Sequence, residues 1–362
     1  MKVCLGALGW LGLGLSACAS STEAPATEAV ALALAPEVEV EVEVEAVAAV
    51  EVADIEPPAV VQEPATRSPE PAITAESVMA IVRSLPGDRS LGAPGHGTGR
   101  QWIVSQLEQL GMSPEVQRFA WAGAPDADLA NIELVLPGSK PDGPLVVACA
   151  HYDTVPGSGG ADDNGSGVAV LLEVARRSAQ RAMPGEVRLL WFDAEELGLA
   201  GSRAWLEQLD AHERERLVGA INLETVGFVN RRPSSQWMPP GSEFLLDPGD
   251  VGDFVLVIAN QDSADFSTIV DMGLHAESGA AMRVEMFDRL PGVGWLMPDS
   301  RRSDHASFWD VGIPAVMLTD TANFRNPNYH RRSDLPETLD GEFLAAVGRG
   351  VERALLLLAS DI

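Results

Sequence analysis

Past residue 73 the apolar positions of the chain follow two alternating periods. Spacings of three and four predict helices at 76–85 (ESVMAIVRSL), 99–112, 166–180, 199–209, 263–274 and 341–360. Short apolar runs or two-residue alternations predict strands at 115–123, 129–138, 144–150 (PLVVACA), 186–194 (EVRLLWFDA), 217–224 (LVGAINLE), 280–287 and 313–321. Strands and helices take turns, so the expected fold is α/β. It is a single three-layer αβα domain over 74–362 with a mostly parallel, mixed central sheet. The Gly-rich GAPGHGTG at 92–99 is expected to be a loop before a helix, with His96 in a structural role.

The polar residues gather where the strands stop. HYD follows PLVVACA, DAEE follows VRLLWF, and the third strand closes on Glu224. In open α/β sheets, sites collect at the carboxyl ends of strands. One rim therefore receives histidine and acids from three strands, and the loop after the first, GADDNGSG, adds more acids. Carboxylates this crowded repel unless a cation stands among them.

Residues before 74 read differently. MKVCLGALGWLGLGLSAC has one Lys, an apolar run and small residues, the pattern of an export signal over 1–17. Leu15-Ser16-Ala17-Cys18 resembles a lipobox, which implies lipidation of Cys18 and a bacterial envelope lipoprotein. Ala19 rather than Asp after it points to the outer membrane. Residues 18–73 form an acidic Pro/Ala/Val/Glu-rich segment, expected to be a disordered linker. Residues 19–73 hold twelve Asp and Glu against one Arg. The formal charge of the whole chain, -28, excludes a nucleic-acid partner, because phosphate contacts need Lys and Arg. Of three cysteines, Cys149 lies in an apolar strand and is expected to be core, with no disulfide partner once Cys4 is removed and Cys18 lipidated.

The rim residues are His151, Asp162, Glu195, Glu196, Glu224 and His330. Imidazole and carboxylate together are a ligand set suited to Zn²⁺, with an open position left for water. A pair of ions about 3.5–4 Å apart requires a carboxylate between them.

HYDT, GADDNGSG, WFDAEELGLAGS, NLE and NPNYH, in this order, resemble the di-zinc aminopeptidases, the family of bacterial leucyl aminopeptidase, glutamate carboxypeptidase and the glutaminyl cyclases (peptidase clan MH). The resemblance covers roughly residues 75–360. It implies two zinc ions per chain and an exopeptidase, foremost an aminopeptidase, that cleaves N-terminal peptide bonds with a metal-activated water. His151 and Glu224 are then ligands of one ion, Glu196 and His330 of the other, and Asp162 the bridging carboxylate. Glu195 is implied as general base. Asp153, two residues past His151, is expected to hold the free imidazole nitrogen. Asp163 is expected to stay off the metals in a support or substrate role, joined to Asp162 by the family's cis peptide.

RRSDHASFWDVGIP is also similar to the family, which implies support or substrate contacts for Arg302, Asp304 and His305. Two other readings share the scaffold: a glutaminyl cyclase-type transferase and a binding module without catalysis. No inserted dimerisation domain is evident between Glu224 and His330.

Overall fold

Strand β3 (Leu145–His151) shows how the layers arise. Its seven residues are all buried. Val146, Ala148 and Ala150 pack into one apolar cluster, while Leu145, Val147 and Cys149 pack into another. A strand that is apolar on both sides needs a helical layer over each face.

The computed structural model describes residues 72–179, 181–239, 242 and 246–360. The expected signal peptide (1–17), Cys18 and all but the last two residues of the expected linker (18–73) lie outside them. Ile73, the last of that linker, is already in the core. Among the described residues no helix is long and apolar enough to cross a membrane.

The other strands are β1 (Glu115–Phe119), β2 (Leu129–Leu136), β4 (Glu186–Phe192), β5 (Leu217–Glu224), β6 (Phe254–Asn260), β7 (Arg283–Leu290) and β8 (Ala315–Thr319). They form one sheet in the order β1-β2-β4-β3-β5-β8-β6-β7. The central four, β4-β3-β5-β8, are parallel. β1 and β2 join antiparallel on one side, β6 joins β8 antiparallel on the other, and β7 runs parallel to β6. The sheet is mixed around a parallel centre, as expected. Strand β6 adds to the strands read from the sequence. Its run FVLVIAN is wholly buried, and it joins the same sheet as β7 and β8.

Helices α1 (Ala75–Ser84), α2 (Pro94–Gln109), α3 (Gly165–Ser178), α6 (Ala264–Glu277) and α8 (Gly341–Leu358) cover one face. Helices α4 (Ala200–Gln208) and α7 (His305–Asp310) cover the other, with Trp205 tilted on Phe308 at 6.0 Å. A short α5 (Ala211–Arg216) leads into β5. Phe343 of α8 is fully buried, so Phe343→Ala is expected to cost about 3–5 kcal/mol, read by denaturant unfolding.

The start of α2 departs from expectation. GHGTG belongs to the helix, not to a loop before it. Pro94 stands at its first turn, where a missing N–H costs nothing. Gly99 serves close packing: a Cβ on it would lie 2.9 Å from Cδ of Arg89. His96 is structural, its Nε2 2.7 Å from Oδ1 of Asp193.

Candidate metal centre

The chain leaves β3 through α3 to β4 on one side, then returns through α4 and α5 to β5 on the other side of β3. This reversal opens a crevice at the carboxyl ends of β4, β3 and β5. His151 ends β3, Glu224 ends β5, and Glu195 and Glu196 lie in a 3-10 turn just past β4. Ala194, with φ of 56°, makes the tight bend before that turn. His330 arrives from the loop past β8, in the left-handed region and stacked on Tyr329 at 3.8 Å.

The carboxylate among these groups is Asp163. His151 Nε2 lies 3.3 Å from Asp163 Oδ1 and 3.2 Å from Glu224 Oε2. His330 Nε2 lies 3.1 Å from Asp163 Oδ2 and 3.3 Å from Glu196 Oε1. Two groups thus have cation-holding geometry, His151-Asp163-Glu224 and Asp163-Glu196-His330, with Asp163 in both.

Asp162 is elsewhere, which corrects the expectation for both aspartates. Its Oδ1 accepts from the Gly227 N–H at 2.9 Å, and its Oδ2 accepts from Asn326 Nδ2 at 2.7 Å. The two aspartates lie in the turn before α3 and take different partners, so only one of the pair faces the crevice. Asp162 braces the loop from behind, where burial and the nearby Asp320 carboxyl push its pKa well above the usual range. The cis peptide also falls one residue later than expected, between Asp163 and Asn164.

Burial raises the carboxyl pKa of Asp163, but the adjoining imidazoles of His151 and His330 overcome it and hold the group below the usual range. Burial lowers the imidazole of His151, yet Glu224 and Glu195 carry it well above its ordinary value. His330 is likewise lowered by burial and then lifted to about 10 by Asp163 and Glu196. Three atoms of these two groups, His151 Nε2, Asp163 Oδ1 and Glu196 Oε1, are buried without a hydrogen-bond partner. Buried polar atoms are rarely left so. Unpaired imidazole nitrogen and carboxylate oxygen on converging side chains are the donors that bind a divalent ion, so the residues fit the group.

Asp153 meets His151 only loosely. The imidazole Nδ1 is 3.1 Å from the Asp153 carbonyl oxygen and 3.4 Å from Oδ1. The Asp153 carboxylate instead accepts from the N–H groups of Glu195 (3.0 Å) and Glu196 (3.2 Å), which fixes the turn carrying both glutamates. Glu195 is buried among like charges. Burial first, then Glu224, Asp304 and Glu196, push its pKa well up against the pull of His151.

The remaining predicted residues separate. Asp304 is fully buried, neither carboxylate oxygen has a hydrogen-bond partner, and burial lifts its pKa to about 7. His305 is structural: its Nε2 donates to the Ser300 carbonyl at 2.7 Å and burial lowers it to about 4. Arg302 donates to Asn323 Oδ1 (2.7 Å) and Tyr329 Oη (3.1 Å) at the crevice mouth. Cys149 is buried and its thiol is pushed up by burial, as a core residue should be.

Sequence reasoning missed several contributors. Ser303 Oγ donates to Glu224 Oε2 at 2.8 Å. Asp334 accepts from the N–H groups of Asp162 and Asp163 at 3.0–3.1 Å, tying their loop to the segment just past His330. A serine or aspartate in an irregular loop carries no periodic signal. An apolar pocket also adjoins Glu224, Arg302 and Tyr329, lined by Leu246, Ile258, Phe287, Met297, Met317 and Phe324 among others.

A probable lipoprotein aminopeptidase of Mycobacterium tuberculosis is 29% identical over 239 residues, 60% of this chain and 43% of that one. An aminopeptidase of Bacillus subtilis is 46% identical over 152 residues, 42% of this chain and 32% of its own length. The chain spans 66% or less of the length of these and the other foremost curated relatives. Among solved structures, a zinc aminopeptidase of Bacillus subtilis matches with a TM-score of 0.61 at 17% identity, covering 80% of this chain and 95% of that one. A glutaminyl cyclase of Porphyromonas gingivalis matches at 0.56 and 22% identity, covering 78% and 98%. At such identities these two structures establish a shared fold. The sequence profile of peptidase family M28 matches residues 131–355, well over half of the chain and every residue of the two cation-holding groups; the chain belongs to peptidase family M28.

Proposed function

We propose that the chain is a zinc-dependent aminopeptidase holding two zinc ions. One sits among His151, Asp163 and Glu224, and the other among Asp163, Glu196 and His330. The observation that carries this reading is the placement of Asp163, whose two carboxylate oxygens each face a separate histidine with its own glutamate. Zinc there supplies Lewis acidity toward the scissile carbonyl and the attacking water.

The chain's own residues do the rest. Glu195 takes a proton from the water that adds to the carbonyl carbon, and delivers it to the leaving amine nitrogen as the C–N bond breaks. The products are a free amino acid and a peptide one residue shorter. Its burial and raised pKa suit a carboxylate that must accept and then release a proton. Asp153 positions the turn that carries it.

The apolar pocket beside Glu224 supports an N-terminal residue with an apolar side chain. Burying such a side chain is worth about 1.5–3 kcal/mol. Peptides beginning with Leu, Met or Phe are expected to exceed those beginning with Asp in kcat/KM by roughly one to two orders of magnitude. Equal rates across a panel would remove the pocket from substrate binding.

The glutaminyl cyclase-type reading has the fold on its side but not the second ligand group, which that single-zinc chemistry does not use. A peptide with N-terminal Gln separates the two. Release of free Gln supports hydrolysis, and loss of 17 mass units without release supports cyclisation. The binding-module reading requires a chain that takes up no metal.

The envelope location is a proposal of its own, supported by Leu15-Ser16-Ala17-Cys18 and by the relative described as a lipoprotein aminopeptidase. Lipidated Cys18 would tether the enzyme to the membrane, in the outer one by the Ala19 rule. Cys18→Ala is expected to move the protein from membrane to soluble fraction with activity intact. A variant that still pellets with membranes contradicts the tether.

A further inference from the structure

Arg89 lies just before α2 and is 1% exposed, yet no motif marks it. Its guanidinium donates three hydrogen bonds, all to main-chain carbonyls. Nε reaches Tyr152 at 2.5 Å, Nη1 reaches Pro86 at 2.7 Å, and Nη2 reaches Gly160 at 2.9 Å. Its own N–H donates to Thr154 Oγ1 at 2.9 Å. Tyr152 follows His151, and Gly160 stands three residues before Asp163. One rigid fork thus joins the strand end that carries the histidine to the loop that carries the shared carboxylate.

The surroundings are shaped to admit it. A Cβ on Gly160 would lie 3.0 and 3.1 Å from Nη1 and Nη2, and one on Gly99 would lie 2.9 Å from Cδ. A cation buried on neutral partners is costly. Burial pulls Arg89 down to about 10, and the charges that oppose this are Asp163 first, then Asp334, Asp153 and Asp88. The arginine and the acidic centre therefore offset each other.

We propose that Arg89 is a positioning residue for the metal centre, its guanidinium fork setting the separation of His151 and Asp163 through the Tyr152 and Gly160 carbonyls. This rests on the zinc reading above. Lysine keeps the charge but presents one flexible ammonium in place of a planar fork. Groups that orient metal ligands from behind are typically worth about 10–100-fold in affinity or activity.

The test is zinc affinity of the folded, metal-free protein, measured by competition with a chelating indicator, alongside kcat and KM. Arg89→Lys is expected to bind zinc about 10–100-fold more weakly. Its kcat should fall at saturating zinc, with KM little changed. A folded Arg89→Lys with wild-type zinc affinity, even one of lower thermal stability, overturns the proposal, because a purely structural arginine would act on folding alone. Should that variant fail to fold, Gly99→Ala serves instead. Its methyl presses on the Arg89 stem from α2 without touching a ligand, and a smaller loss of zinc affinity is expected; wild-type affinity there overturns the clamp. A wild-type chain that binds no zinc overturns both this proposal and the zinc reading, whereas unchanged affinity in the variants overturns the clamp alone.

Discussion

Glu195→Gln is expected to lower kcat by about 10²–10⁴-fold while zinc affinity stays at the wild-type level. The substitution preserves shape and burial but removes the ability to accept a proton. Glu195 does not belong to either cation-holding group, and its backbone is held by Asp153 rather than by its own side chain. Metal content should therefore not respond. The neighbouring change, Glu196→Gln, should behave oppositely and weaken zinc at the His330 side, because Glu196 Oε1 is one of the unpaired atoms facing that position. Near wild-type turnover in Glu195→Gln would move the base elsewhere, with the unpaired Asp304 the next candidate.

Asp163→Ala is expected to abolish measurable peptidase activity and to lose both zinc ions, since it withdraws one oxygen from each group at once. Asp162→Asn should keep both ions, because its side chain is engaged with Gly227 and Asn326 behind the loop. Thermal unfolding reads the same contrast. A ligand present at 100 times its Kd stabilises the native state by about 2.7 kcal/mol. Chelation should thus lower the melting temperature of wild type and of Asp162→Asn, and leave that of Asp163→Ala unmoved. The reverse pattern, with Asp162→Asn unable to bind zinc, would restore Asp162 as the shared ligand.

The pair Asp162-Asp163 shows where sequence reasoning stops. GADDNGSG resembles the family motif that implies a shared carboxylate, and periodicity places it past β3. Which of two adjacent aspartates faces the crevice depends on the local backbone, and that is set by contacts from far along the chain: Asp334 on their N–H groups and Gly227 and Asn326 on the Asp162 side chain. Strand-end residues were legible for the opposite reason. His151 closes a run that is otherwise wholly apolar and Glu224 closes one broken only by Asn222, so their chemistry stands out against the core. Glu195 and Glu196 stood out in the same way after VRLLWF.

The sheet was legible except for β6. That strand is continuous with its surroundings only through its apolar character, and its antiparallel pairing with β8 brings together residues some 60 positions apart. Loop segments contribute Leu246 and Met297 to the apolar pocket beside Glu224. The strands supply Ile258, Phe287 and Met317, which read as core. Arg89 gave no signal, because its partners are carbonyls that any sequence would provide.

The most direct test of the account is release of the N-terminal residue from a Leu-initiated peptide, with its N-acetylated counterpart beside it, before chelation, after chelation and after zinc is returned. The account predicts release of free Leu from the unblocked peptide alone, loss of that release with chelator, and recovery as zinc approaches two ions per chain. Release that persists in the zinc-free protein, or that leaves the free and blocked peptides equally cleaved, would contradict it.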